Sequence, residues 1–345
     1  MWYEFLINHS LIPRKILIKS IQYMLKRHLS KFSDKKNDLL TLQKTFCLKH
    51  SEGPLAKSTQ DANKQHYEFP IDFFKTVLGS NLKYSGSFWP HKEADLTQAE
   101  ITSLEKYLDR AKIKTGESIL ELGCGWGSLS IYLASKFPNN KLISVTNSIH
   151  QFKYIKKIAK RKSLNNIEII HSDMNDFDTK MKFDKIISIE MFEHMYNVSK
   201  LLKRTQSWLN ENGMLFFQVF NHKSYPQDFD NLQSSWMSKY FFTNGMMPYD
   251  GFYNDIDSNL VLKDSWAENG KHYSKTLYAW LKNLEDNSQY IFSSLSSKYK
   301  ATDLKIFINR WKLFFIICAE LFGYKDGNEW YVKQYLFTKQ SKNKS

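Results

Sequence analysis

Short apolar runs alternate with amphipathic segments from residue 98 to residue 220. The apolar runs predict buried strands at 119–122, 141–146, 167–171, 185–189 and 214–220, with a turn at Gly213 before the last. Helical periodicity predicts helices at 98–112, 128–136, 150–162 and 201–209. Strands that alternate with helices form a parallel sheet with right-handed crossovers. The pattern therefore predicts an α/β fold.

The alternation stops after residue 220. Residues 221–330 are mainly helical and rich in aromatic side chains, most of which we expect in the core. The remainder could line a pocket for an apolar or aromatic substrate, or for a cation. Strands at 259–266 and 330–337 would complete the sheet, and the other segments would form a lid over the strand ends. Residues 63–90 are also aromatic-rich, which predicts a further lid or a cap on the sheet.

The N-terminal part has a different pattern. Residues 13–32 predict a helix whose apolar face consists of Leu17, Ile21, Met24, Leu25 and Leu29, with basic residues elsewhere. Such a helix packs on its own domain or lies on an acidic membrane. The polar stretch 33–68 predicts a helix at 38–50 and a linker. We therefore expect an N-terminal helical extension over 1–68 and a second unit over 69–345.

Charge and cysteine content narrow the class of partner. Lys and Arg number 49 against 35 Asp and Glu, so the net charge is +14. This favours an anionic partner, but we find no RNA-binding motif and expect no nucleic-acid contact. The three cysteines are scattered, which indicates no metal site and a reducing compartment. No run reaches the ~18 apolar residues of a membrane span, and no signal-peptide pattern begins the chain. We expect a cytoplasmic protein.

A glycine-rich turn follows the first strand. Gly123, Gly125 and Gly127 alternate, and a predicted helix begins directly afterwards. Glycine lets a strand turn sharply and lets its backbone approach a ligand, while the helix start offers free N–H groups. Glu121 has the wrong charge for a pyrophosphate and suits a ligand with hydroxyls and a cation, such as S-adenosyl-L-methionine. A tight turn in another α/β protein is the alternative.

Polar residues or glycines follow the predicted parallel strands. In open parallel sheets, ligands bind at the carboxyl ends of the strands. The residues expected at that edge are Glu121, Gly123, Gly125, Asn147, Asp173 and Glu190. A purely structural role explains this clustering poorly.

Several longer segments carry a resemblance to a known family. They are ELGCGWGSLS, SVTNS, SDMNDF, KIISIEMFEHM and QHYEFPIDFFKTVLGSNLKYS. Together they resemble the cyclopropane-fatty-acid-synthase family of S-adenosylmethionine-dependent methyltransferases. KYFFTNGMMP, NGKHYSKT and FFIICAELFGYKDGNEW are similar to the coclaurine N-methyltransferase group within it. The resemblance implies a class I, Rossmann-like fold with a mostly parallel seven-stranded sheet, an N-terminal helical extension and a helical lid insertion.

The resemblance also implies a cofactor site for S-adenosyl-L-methionine, to which Glu121 would belong. Its positions are Tyr84 and Ser85 at the methionine part, Gly123 and Gly125 at the backbone approach, Asn147 and Gln151 near the ribose, and Asp173 and Met174 at the adenine.

For catalysis, the resemblance points to the Glu193–His194 pair, with Glu190 near the methyl group. In the amine methyltransferases such a pair takes a proton from the ammonium substrate. A protonated amine has no lone pair for attack, and a histidine can act as the base. The implied reaction is N-methylation of a small amine, which could be aromatic. The intact glycine turn argues against an inactive scaffold.

Two departures concern the alternative, modification of unsaturated acyl chains on phospholipid. The lipid enzymes bind bicarbonate with a cysteine and a histidine where this chain has Gly86 and Gln218, although Glu193 and Tyr273 match that site. The glycine at position 86 departs from the amine enzymes as well. Cys318 also matches the lipid enzymes, but a packed, unreactive thiol is the simpler interpretation. The basic N-terminal helix would allow peripheral membrane contact, and a homodimer is compatible with the resemblance.

Overall fold

The computed structural model describes residues 3–9, 11–33, 36–57, 70–229, 236–242 and 245–339. Its main feature is a seven-stranded sheet with the strand order β3-β2-β1-β4-β5-β9-β8. The strands of this sheet are β1 (Ser118–Leu122), β2 (Lys141–Thr146), β3 (Ile167–His171), β4 (Phe183–Ile189), β5 (Leu209–His222), β8 (Leu260–Glu268) and β9 (Trp330–Lys339). Two short strands, β6 (Gln227–Asp228) and β7 (Met246–Met247), pair separately.

The helices lie before the sheet, between its strands and in the C-terminal half. They are α1 (Tyr3–Asn8), α2 (Arg14–Ser33), α3 (Lys36–Lys49), α4 (Ile71–Val77), α5 (Leu96–Arg110), α6 (Ser128–Lys136), α7 (Ile149–Arg161), α8 (Val198–Trp208), α9 (Trp236–Tyr240), α10 (Phe252–Asp255), α11 (Gly270–Asp286), α12 (Ser288–Leu295) and α13 (Ala301–Gly323).

The predicted α/β class is confirmed. Strands β3, β2, β1, β4 and β5 pair in parallel, whereas β9 is antiparallel to both β5 and β8. The connections between successive parallel strands contain a helix, except the one between β3 and β4. There the chain crosses β2 and β1 without a helix and enters β4 on the other side of β1. Parallel strands buried on both faces need continuous apolar runs. In β1, Ile119, Leu120 and Leu122 are fully buried, and Glu121, which interrupts this apolar run, is buried as well.

The predicted bounds of β2, β3 and α6 agree with the structure. The turn predicted at Gly213 is instead a register shift inside β5. Phe183 pairs with Leu209 and Lys185 with Met214, so residues 210–213 lie opposite Asp184 alone. The backbone is irregular at the predicted place, but the chain remains extended on both sides of it. Strand β5 therefore begins at Leu209, five residues before the apolar run that predicted it.

The aromatic segments after β5 form a core of their own. Trp280 on α11 packs on Phe315 of α13, and Trp311 of α13 contacts Phe241. These side chains are nearly inaccessible to solvent. This core adjoins the carboxyl ends of the parallel strands through Trp126 and Phe220. Most of the aromatics in this region are thus core residues, as predicted.

The N-terminal helices pack on the rest of the chain. Ile21 of α2 is buried in the aromatic core, and Phe46 of α3 contacts Phe252 of α10. Met24, predicted on the packed face of α2, is instead 57% exposed. Across the ranges described above, no helix has the length and apolar character needed to cross a bilayer. The first part of the predicted lid, residues 63–69, lies outside the described residues.

Candidate active site

The glycine turn bends the chain away from β1 with left-handed backbone angles. Gly123 and Gly125 have φ angles of +75° and +54°. The N–H groups of Gly123 and Cys124 both donate to the carbonyl of Val145 at 3.0 Å, which holds the turn against β2. A Cβ on Gly125 would meet no atom within 4 Å, whereas one on Gly123 would lie 2.6 Å from Cγ of Met191. Gly125 therefore faces open space.

That space is a cavity with an empty volume of about 1200 Å³, part of it open to solvent. It lies at the carboxyl ends of the parallel strands, where the polar residues were predicted to meet. The predicted site residues that line it are Tyr84, Ser85, Glu121, Gly123, Gly125, Asn147, Gln151, Met174, Glu190 and His194. Asp173 and Glu193 are not among the lining residues.

Glu121 is buried at the end of β1. Its Oε2 atom accepts hydrogen bonds from the hydroxyls of Ser130 and Ser144, the latter at 3.3 Å. Burial raises the pKa of its carboxyl to about 7, and the two serines oppose this rise only in part. A cationic ligand in the cavity would therefore favour the ionised form of Glu121.

Two buried polar atoms at the cavity lack partners. Nε2 of Gln151 and Oγ of Ser128 have no hydrogen bond to any described residue. Oε1 of Gln151 accepts from the Thr146 hydroxyl at 2.6 Å, so the orientation of this amide leaves its N–H groups for another acceptor. Buried polar groups are normally paired. A ligand with hydroxyl groups, as in the ribose of S-adenosylmethionine, fits these atoms.

Asp173 and Met174 begin the segment after β3. The carboxylate of Asp173 accepts the N–H of Asn175 at 2.8 Å and so shapes the turn. Met174 is buried against the cavity, and its carbonyl accepts from Arg204 at 2.9 Å. The structure thus brings Met174 to the cavity and places the Asp173 side chain in the turn beside it.

Glu190 is held by donors from three elements. Its backbone is left-handed, with a φ of +50°. Oε1 accepts from the N–H of Gly86 at 3.0 Å and from Nε2 of Gln218 at 2.8 Å, while Oε2 accepts from the Tyr273 hydroxyl at 2.7 Å. The two positions that depart from the lipid enzymes, Gly86 and Gln218, therefore both bind this carboxylate. A Cβ on Gly86 would lie 2.9 Å from the ring of Tyr273.

Lys83 is a cavity residue that the sequence analysis missed. Its ammonium group is buried and donates to the carbonyl and hydroxyl of Ser85, at 3.2 and 2.9 Å, and to the carbonyl of Gly86. Burial lowers the pKa of Lys83 to about 8, against the opposing attraction of Glu190 and Glu100. A single lysine in an irregular segment carries no periodic signal, so only the fold reveals that it is inside.

His194 ends a short 3₁₀ turn, Phe192–His194, after β4. Its imidazole lines the cavity and stacks on Phe242, with ring centroids 5.0 Å apart. Burial lowers the pKa of His194 to about 4. The ring is therefore neutral at physiological pH, the form in which a histidine can accept a proton.

Glu193 points away from its neighbour His194. It is fully buried, and its Oε1 atom accepts the N–H of Phe220 at 2.8 Å. Its Oε2 atom has no hydrogen bond within the described part of the chain. Burial, and secondarily repulsion from Glu190, raises the pKa of Glu193 well above its usual value. Of these two neighbouring glutamates, Glu190 and not Glu193 lines the cavity.

Cys318 lies on α13 and packs against the aromatic core. Burial raises the pKa of its thiol to about 12, so the group is protonated at neutral pH and is a weak nucleophile. This agrees with the prediction of a packed, unreactive thiol.

Comparison with known proteins identifies relatives of the whole fold. The chain is 34% identical to an (S)-coclaurine N-methyltransferase of Thalictrum flavum subsp. glaucum, over 83% of this chain and 81% of that protein. It is 33% identical to an (S)-coclaurine N-methyltransferase of Papaver somniferum, over 83% of each. The crystal structure of a coclaurine N-methyltransferase bound to N-methylheliamine and SAH superposes with a TM-score of 0.92, at 31% identity over 97% of this chain and 98% of that one.

The mycolic acid cyclopropane synthetase family matches residues 55–332, which include the glycine turn, Glu190, His194 and the aromatic core. This agrees with the predicted resemblance to the cyclopropane-fatty-acid-synthase family. The chain therefore belongs to the mycolic acid cyclopropane synthetase family and is an S-adenosyl-L-methionine-dependent methyltransferase.

Proposed function

We propose that this enzyme transfers a methyl group to the nitrogen of a small amine with an aromatic part. The main support is the carboxylate of Glu190, which three donors hold at the cavity that His194 also lines. A carboxylate attracts an ammonium group, and His194 is backed by the aromatic ring of Phe242, on which its imidazole stacks. The relatives named as coclaurine N-methyltransferases support the same acceptor class.

The proposal assigns a separate role in proton transfer to Glu190 and to His194. Glu190 binds the protonated amine by charge and so brings its nitrogen into the cavity. His194, which is neutral at pH 7, then accepts the proton and frees the nitrogen lone pair. Bound S-adenosylmethionine supplies an electrophilic methyl group on a positively charged sulfur. Methyl transfer needs mainly alignment, which the buried, hydrogen-bonded Glu190 provides for the amine.

For Glu193 we propose a positioning role within the predicted catalytic pair. Its bond to the N–H of Phe220 ties the turn that carries His194 to the end of β5. Loss of this bond would let the His194 ring move relative to Glu190. Glu193 would therefore support catalysis without touching the amine.

We also propose contacts for the cofactor, and the cavity lining supports them at every assigned position except Asp173. We assign Tyr84 and Ser85 to the methionine part, Gly123 and Gly125 to the backbone approach, Asn147 and Gln151 to the ribose, and Asp173 and Met174 to the adenine, with Glu121 facing the cationic part. Asp173 would act at this site chiefly by shaping the turn that presents Met174. The cofactor site and the amine site would then meet at Glu190.

A membrane contact through α2 is a separate proposal. Its outer face exposes Ile16, Tyr23 and Met24 beside the exposed Lys26 and Arg27. Apolar side chains among basic ones suit an acidic lipid surface. Residues 1–68 would then serve as a peripheral extension to the catalytic unit 69–345. Vesicle binding that is unchanged when Lys26 and Arg27 become Glu would contradict this proposal.

We also propose a cytoplasmic location, because Cys47, Cys124 and Cys318 are all unpaired thiols in the fold. Free thiols persist in reducing compartments. Cell fractionation of the tagged full chain tests this. Recovery in an oxidising compartment would contradict it.

The acceptor class is tested with labelled S-adenosylmethionine and two acceptor pools. One pool contains primary and secondary amines of benzylisoquinoline and phenethylamine type, and the other contains vesicles of unsaturated phospholipid. We expect label in an amine. We expect His194→Ala to lower turnover by roughly 10²–10⁴-fold with nearly unchanged cofactor affinity. His150→Ala, a change of an exposed histidine, is the matched control. Label in acyl chains would overturn the proposal.

A further inference from the structure

The amide of Gln218 that donates to Glu190 is the end of a longer chain of hydrogen bonds. Oε1 of Gln218 accepts from Nε2 of Gln334 at 2.7 Å. Oε1 of Gln334 accepts in turn from the guanidinium of Arg110 at 2.6 Å. Gln218 and Gln334 are register partners on β5 and β9, and both are almost fully buried. These hydrogen bonds therefore connect the last turn of α5 to the carboxylate of Glu190 across β9 and β5.

Arg110 determines the direction of every bond in this chain. A guanidinium only donates, so Gln334 must present its carbonyl oxygen to Arg110. The NH₂ group of Gln334 then faces Gln218, which must present its own oxygen. The NH₂ group of Gln218 is thereby left for Glu190. If the side-chain amide of either glutamine were rotated by half a turn, two N–H donors or two carbonyl oxygens would face each other in a buried site.

We infer that Arg110 and Gln334 are positioning residues for the methyl-transfer site, because they keep an N–H donor of Gln218 directed at the Glu190 carboxylate. The inference rests on the proposed function, in which ionised Glu190 binds the ammonium group of the acceptor. A donor stabilises the ionised carboxylate, and an opposing carbonyl oxygen would favour its protonated form. A protonated Glu190 has no charge with which to attract the amine.

Arg110 is itself held by an ion pair that offers a control. Its guanidinium lies 2.5 Å from Oε1 of Glu268, and the ammonium of Lys106 lies 2.9 Å from the same oxygen. Lys106 and Arg110 lie on one helix, one turn apart. Both neutralise Glu268, but the bond to Gln334 comes from Arg110. Lys106→Met thus removes a partner of Glu268 and leaves the chain of amides intact.

Other charged or titratable groups surround Glu190 and must be the same in every variant compared. Lys83 comes from the segment before α5, Tyr107 from α5, Tyr273 from α11 and Glu193 from the turn after β4. None of them bonds to Arg110 in the described structure, although the Tyr107 hydroxyl lies beside the Gln218 amide. Substitution of Arg110 therefore acts on Glu190 through the amides.

The test is the pH dependence of kcat/KM for the best amine, measured for wild type, Arg110→Met, Arg110→Lys and Lys106→Met. We expect Arg110→Met to move the acidic limb upward by about one pH unit, which lowers kcat/KM by up to about tenfold on that limb. Cofactor affinity should change less than about twofold, since the hydrogen-bonded amides lie behind Glu190 and do not reach the cofactor site. Arg110→Lys keeps a donor-only group and should restore the wild-type limb.

The inference would be overturned if the acidic limb of Arg110→Met lay at the same pH as that of wild type. It would also be overturned if the limb shifted equally in Arg110→Met and Lys106→Met. If Arg110→Met fails to fold, Gln334→Met breaks the same chain without touching the ion pair, and the same shift is expected. Glu190→Gln separates the two proposals. If it is inactive while Arg110→Met and Gln334→Met behave as wild type, only the inference fails. If Glu190→Gln is fully active, the proposed role of Glu190 fails.

Discussion

The imidazole of His194 lies against the ring of Phe242, with the two planes inclined by 28°. Phe242 in turn meets Phe229 and Phe220 edge to face, at centroid distances of 4.9 and 5.7 Å. These contacts restrain Phe242 from two further directions. The proposed base is consequently supported by packed aromatic side chains from β5 and from the segment after it.

Replacement of Phe242 by leucine should loosen His194, because it removes the ring on which the imidazole stacks. We expect kcat/KM for aromatic amines to fall by roughly tenfold, in line with the ~1 kcal/mol of an aromatic pair. Cofactor affinity should not change. Phe241→Leu is the matched control, because Phe241 stacks on Phe314 in the aromatic core at 4.3 Å. A smaller loss in Phe242→Leu than in Phe241→Leu would contradict the prediction.

Alanine at Gly125 should weaken cofactor binding while the protein stays folded. The new Cβ would enter open cavity space, and the left-handed backbone adds strain of about 1–2 kcal/mol. Gly123→Ala should act differently, because its Cβ meets Met191 and would displace the turn before His194. Calorimetric titration and thermal unfolding of both variants distinguish these effects. Unchanged affinity in Gly125→Ala would remove the glycine turn from the cofactor site.

Binding of S-adenosylmethionine should release a proton near pH 7. The pKa of Glu121 is raised to about 7 by burial, and a cation in the cavity would lower it again. Cofactor affinity should therefore rise as the pH increases through 7 and level off above it. Calorimetry in two buffers of different ionisation enthalpy measures the released proton. Glu121→Gln should abolish the release, and Glu117→Gln, nearer the surface, should retain it.

His222 should make the fold sensitive to acid. Its Nδ1 atom accepts the N–H groups of Ser224 and Tyr225, at 2.9 and 2.8 Å, which requires an unprotonated nitrogen. Burial lowers the pKa of His222 to about 3. The unfolded chain binds the proton more readily than the folded chain does. The contribution of His222 to the free energy of unfolding is therefore complete above the unfolded pKa of about 6.5 and declines as the pH falls towards 3.

The measurement is urea unfolding of wild type and His222→Asn at about pH 7 and about pH 5, since asparagine can accept the same bonds. Between these two pH values, the free energy of unfolding of wild type should fall by up to about 1.4 kcal/mol per pH unit more than that of the variant. His194 is present in both proteins, so its titration cancels in the comparison. Parallel losses in the two proteins would rule out His222 as the acid-sensitive group.

Much of the site was predictable because its signals are local. The apolar run of β1 and the alternating glycines are adjacent in the sequence, and each polar residue lies within two residues of the apolar run of its own strand. The parallel sheet then brings Glu121, Asn147 and Glu190 to one edge. Lys83, Phe242, Arg110 and Gln334 were not predicted, since each reaches the site through packing between segments that are distant in sequence.

The sequence by itself determined the α/β order of elements, the glycine turn and the family, because apolar periodicity and glycine spacing are properties of neighbouring residues. Only the tertiary structure decided which of Glu190 and Glu193 meets the cavity. Glu190 and Glu193 are three residues apart, and the left-handed backbone at Glu190 and the 3₁₀ turn behind it direct one towards Tyr273 and the other towards Phe220. That choice depends on donors from β5, α11 and the segment at Gly86, which meet only when the whole chain has folded.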